Sequence, residues 1–167
     1  MFKSIFTAGI LLTSLLGTSV YADNNQEKES LPDREILLSN FDKMDLVKAG
    51  EWKQGKVVNG KPVLTARFDG DIYSIGSDSV GAVSLAADNS EFQLRHTAAV
   101  CANMVVAVTG KDDEGIYGAV GNVIAKAGEE KGNYSDLVDG YMLTVDIKEV
   151  GGYPALMCKI EGFARWD

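Results

Sequence analysis

Among its 167 residues the chain has one histidine, His96, and two cysteines, Cys101 and Cys158. That scarcity removes whole classes of chemistry. A structural zinc site takes four nitrogen or sulfur ligands and a catalytic one takes three, so zinc is poorly served. A serine triad would have to use His96 as its only imidazole base, and "SIGSDSVG" lacks the form of a nucleophile elbow. A thiol enzyme needs a base or a positive charge beside its cysteine. His96 precedes Cys101 by five residues. That spacing puts the pair on opposite faces of a strand, or about 140° apart on a helix. His96 therefore reads as a bystander and Cys101 as structural.

Basic side chains are also in short supply, with 16 Lys and Arg against 24 Asp and Glu for a net charge of −8. Such a surface repels phosphate backbones and argues against nucleic-acid binding. It favours encounter with a basic protein partner. The glycines of "GIYGAVGNV" come without the lysine-serine pair or the spacing of a nucleotide loop. Gly115, Gly118 and Gly121 read instead as one helix face that a neighbouring backbone can approach. The acidic clusters "DGD" and "KDDEG" do not follow the alternating register of a calcium loop. No cofactor and no metal site are expected.

Long apolar runs are confined to the first residues. Lys3 precedes Ile5–Leu16, and Val20-Tyr21-Ala22 supplies a small-residue cleavage motif, the three parts of a secretory signal peptide over 1–22. The alternative is an uncleaved anchor, but Thr, Ser and Gly within the run and the cleavage motif after it favour removal. The expected location is periplasmic or secreted, with no membrane span after cleavage. Two cysteines in an oxidising compartment read as one disulfide, Cys101–Cys158.

What remains is a disordered lead-in over 23–30 and a single α+β domain over 31–167. An amphipathic helix is expected over 32–48. Asn59-Gly60 marks a hairpin between β-branched runs. "DIYSIG", "AVSLAA" and "EFQLRH" read as short strands. Segment 97–109 is ambiguous, with strand favoured for Asn103 to Thr109. Ile116, Val120, Val123 and Ala127 recur at helical spacing, and two long strands meet at Gly151-Gly152. The expected fold is an antiparallel sheet of about six strands, with an N-terminal amphipathic helix and a second helix before a C-terminal β-hairpin.

With catalytic groups so few, binding becomes the expected function. The reading is an exported, non-catalytic protein-binding protein, of which an inhibitor or immunity-type partner masking a cell-envelope-acting enzyme is one form. Asp69, Asp71, Tyr73, Asp112, Asp113 and Tyr117 are the candidate partner contacts, because they combine acidity with interface-favoured tyrosine. A small apolar-ligand carrier with a cavity beneath the sheet is the alternative, and a carboxylate-based enzyme a more distant third.

Overall fold

The computed structural model describes residues 29–162 except Asn89 and Lys131. The leader expected over 1–22 lies outside the described residues, as does most of the lead-in. Glu29, near the lead-in's end, donates its backbone N–H to Gly140 O at 3.0 Å.

Four two-residue turns set the sheet's geometry. Asn59-Gly60, Asp69-Gly70, Asp139-Gly140 and Gly151-Gly152 all hold positive φ at both positions, between 49° and 91°. That is the conformation of a type I′ turn, whose twist matches the strands it joins, and Asn, Asp and Gly adopt it at least cost. These turns link β1 (Lys53–Val58) to β2 (Lys61–Phe68), β2 to β3 (Asp71–Ile75), β5 (Asn133–Val138) to β6 (Tyr141–Val150), and β6 to β7 (Tyr153–Glu161). With β4 (Ser79–Leu85) they form one antiparallel sheet of seven strands in the order β1-β2-β3-β4-β7-β6-β5. β5, which runs into the Asp139-Gly140 turn, is not among the strands expected from the sequence. Two sequential meanders, β1–β4 and β5–β7, are thus joined by the pairing of β4 with β7.

Between the meanders lie two helices, α2 (Glu91–Thr109) and α3 (Glu114–Glu129). Here the structure corrects the sequence. "EFQLRH", expected as a strand, forms the first turns of α2, and Asn103–Thr109 continues the same helix. Ser90 Oγ accepts from Gln93 N to cap its start, and Gly110 at φ 69° ends it. Between those stops the second half is buried almost all round, with Met104, Val105, Val106, Ala107 and Val108 at most 4% exposed. A helix buried on every side has no polar face, so its valines lose the helical periodicity and mimic a strand.

The N-terminal helix, α1 (Arg34–Lys43), is shorter than the expected 32–48. Asp45, at φ 59°, reverses the chain soon after the helix ends. Phe41 of α1 meets Tyr73 of β3 and Trp52 edge-on, each with ring centroids 5.2 Å apart, and this fastens the helix to the sheet. α3 forms where its periodicity placed it, burying Ile116, Val120, Val123 and Ala127. Its glycines do not face the core. A Cβ built at Gly118 or Gly121 meets nothing within 4 Å, so the expected close approach is absent.

Cys101 of α2 and Cys158 of β7 are bonded, with Cα atoms 5.7 Å apart and 57 residues between them in sequence. Closing a loop of that length restricts the unfolded chain by roughly 4 kcal/mol in the entropy model. Reduction of the native protein, followed by urea unfolding, should therefore lower stability by up to about 4 kcal/mol. Two titratable thiols in the unfolded, unreduced protein would refute the bridge. Gly118→Ala and Gly121→Ala should each stabilise by about 0.5–1 kcal/mol, read as a rise in Tm, because the new methyl enters open space on a helix.

Candidate interaction surface

Pleating sends alternate side chains to opposite faces, and among the described residues helices cover only one face of this sheet. Leu64, Ala66, Tyr73, Ile75, Val80, Ala82, Leu143, Val145, Cys158 and Ile160 point to the helices and are buried. Their neighbours in sequence point the other way, where no described helix lies. The register aligns a row across that uncovered face: Arg67 beside Ile72, Ile72 beside Val83, Val83 beside Met157, Met157 beside Asp146. Three apolar side chains thus sit at the sheet's centre, between a cation at one end and an anion at the other.

The apolar part extends towards the end of the sheet that holds the β2–β3 and β6–β7 turns. Leu85 is 48% exposed and Tyr153, diagonal to it across the β4–β7 pair, is 53% exposed. Val150 pairs with Tyr153 and is also exposed. Around the sheet's end stands Phe92, 75% exposed in the first turn of α2, sharing a cleft of about 230 Å³ with Leu85, Asp69, Gln93 and His96. An antiparallel sheet with one solvated face ordinarily carries polar residues there. A contiguous apolar patch with a charged margin is the usual anatomy of a contact surface.

The charge of this face differs in sign from that of the whole chain. Lys53, Lys61, Arg67, Lys148 and Lys159 project from it, five cations against two anions, Asp146 and Glu161. Both anions are engaged within the face, Asp146 with Lys148 at 2.9 Å and Glu161 with Lys159 at 3.0 Å. The Asn133 amide also donates to Asp146, and these donors hold its carboxyl below the usual range. At the β1–β3 side lies a cleft of about 610 Å³ lined by Gly50, Glu51, Lys53, Thr65, Arg67 and Ile72. Glu51 is committed to capping its own turn, its carboxylate accepting from Lys48 N at 3.0 Å.

The six contact residues expected from sequence do not form one surface. Asp71 and Tyr73 are 3% and 1% exposed and face the core. Burial pushes the Tyr73 hydroxyl's pKa far up, the Asp71 charge adds to this, and a hydrogen bond with Asn103 opposes it. Asp69 occupies the β2–β3 turn. Asp113 caps α3, accepting from Ile116 N at 3.0 Å, and Asp112 accepts from the Tyr117 hydroxyl at 2.7 Å. These last three lie at the opposite end of the sheet from Asp69, beside the β5–β6 turn, where Lys111 reaches Asp139. Charge-steered docking through all six together has no surface to act through.

His96 is not idle. Its Nε2 lies 2.9 Å from Asp71 Oδ2, and the two side chains are 34% and 5% exposed. The partners are 25 residues apart in sequence, and the return of the chain through β4 into α2 brings them together. Ser84 lies one position beyond the Ile72–Val83 pair and so opposite Asp71, but its hydroxyl is buried without a hydrogen-bond partner among the described residues, so serine, histidine and aspartate do not form a hydrogen-bonded set. Among the described residues no three His, Cys, Asp or Glu groups converge to hold a metal ion, and no helix is long and apolar enough to cross a membrane.

Compared with protein-family models, curated proteins and solved structures, the chain matches none.

The Asp71–His96 pair has a measurable consequence for stability. His96→Ala leaves a buried carboxylate without its partner and should cost about 1–3 kcal/mol in urea unfolding. In an Asp71→Asn background the same change should cost clearly less. Equal costs in both backgrounds would show that the two side chains do not act as a pair.

Proposed function

We propose that this is an exported, periplasmic or secreted protein whose task is to bind another protein, without catalysis of its own. The observation that carries the reading is the uncovered sheet face, with its central Ile72–Val83–Met157 row running into exposed Leu85, Tyr153, Val150 and Phe92. Leaving that many apolar groups in water is unfavourable by about 25 cal/mol per Å², and a partner's apolar surface removes the cost. The Cys101–Cys158 bridge supports an oxidising compartment, since such links persist outside the cytosol. An inhibitor or immunity-type protein that masks a cell-envelope-acting enzyme fits this description: a small domain, an internal crosslink and one flat adhesive face.

The test is capture of partners from a cell-envelope extract by the immobilised, oxidised protein. Val83→Asp and Met157→Asp place a charge at the centre of the face and should reduce the captured partner at least about tenfold, a loss of some 1.4 kcal/mol. Asp112→Lys with Asp113→Lys, at the far end of the sheet, should leave capture unchanged. The reading fails if the Val83 and Met157 variants capture as well as the native protein. It also fails if native mass spectrometry finds a bound apolar small molecule in place of a protein.

A further inference from the structure

We propose that the cleft between the Ala49–Glu51 turn and strands β1–β3 receives a carboxylate-bearing segment of the partner protein. Lys53 and Arg67 hold its acidic side chains, and the neighbouring Ile72 and Val83 take apolar ones. This rests on the reading of the uncovered face as a protein-binding surface and adds the chemistry of what lands on it.

The cleft, at about 610 Å³, is large enough for several side chains. Two of its lining groups are cations, and neither Lys53 nor Arg67 has an ion-pair partner among the described residues. The one lining anion, Glu51, has its carboxylate turned to the Lys48 backbone. On β6 and β7 the lysines of this face are already paired, Lys148 with Asp146 and Lys159 with Glu161, while Lys61 on β2 is not. The unmatched positive charge is therefore concentrated at the β1–β3 side. Arg67 stands directly beside Ile72 in the register, so an incoming carboxylate held by its guanidinium lies next to the apolar row. A guanidinium matches a carboxylate with two parallel N–H donors, and such charge-assisted bonds are about twice as strong as neutral ones.

The chain's net charge of −8 does not oppose this at close range. Much of the acidity, including Asp112, Asp113, Glu114 and Glu129, belongs to the helical layer. Screening at physiological salt acts over about 8 Å, comparable with the spacing of packed layers, so a segment seated in the cleft is governed mainly by Lys53 and Arg67.

The probe is a capped hexaglutamate peptide, with capped hexalysine as its control, added to the purified oxidised protein and followed by amide NMR at low and moderate salt. Hexaglutamate should shift the Lys53, Thr65, Arg67 and Ile72 amides, and hexalysine should not. Raising the salt should weaken the effect. Arg67→Glu, or Lys53→Glu, should weaken binding at least about tenfold while the spectrum retains its native dispersion. No shift of those amides, an equal response to hexalysine, or an unchanged Arg67→Glu variant would overturn the proposal. Failure of the underlying reading looks different: Val83→Asp would then leave capture from extract intact while hexaglutamate still binds at Arg67.

Discussion

The fold depends on how α2 is held against the middle of the sheet. The sheet consists of two meanders, each made of strands adjacent in sequence, and neither by itself has a complete core. They meet where β4 pairs with β7, and α2 lies over that junction, bonded through Cys101 to Cys158 on β7. Burial of Val100, Met104, Val105 and Val108 fills the space between helix and sheet. The bridge therefore clamps the one seam that local chain connectivity does not secure.

That arrangement also explains why one face is left open. Two central helices and a shorter α1 occupy the same side, with Phe41 reaching Tyr73 from there. The opposite face carries polar side chains in its other rows, with Thr65, Ser74 and Thr144 half-buried between buried neighbours, and departs from that pattern along Ile72, Val83 and Met157. Sheet stability does not require apolar side chains there. Their presence is the feature that stability alone leaves unexplained.

Much of the scaffold could be read directly from residues. Asn59-Gly60 and Gly151-Gly152 announce their hairpins, the stripe from Ile116 to Ala127 gives α3, and the two cysteines pair as their number suggests. The second half of α2 escaped because a helical segment buried all round has no amphipathic signature, and because Val105, Val106 and Val108 have the branching typical of strands. The apolar row on the open face escaped for a different reason. It is written one residue per strand, in Ile72, Val83 and Met157, and these become neighbours only through the register. A hint was present in "DIYSI", apolar at both odd and even positions, which is the pattern of a strand with two demanding faces. Asp71 and Tyr73 in that same strand stand out as contacts for their acidity and aromatic hydroxyl, while the pleat turns both inward.

The junction of the meanders also shapes how the molecule comes into being. β4 has left the synthesis machinery long before β7 follows, and in that interval its outer edge offers unpaired backbone groups to any strand nearby. A second chain's β7 would satisfy them as well as the chain's own, and two copies could exchange their C-terminal meanders. Covalent attachment of β7 to the helix of its own chain closes that route once it forms. Beyond its thermodynamic contribution, the sulfur link keeps each molecule's halves together as one individual.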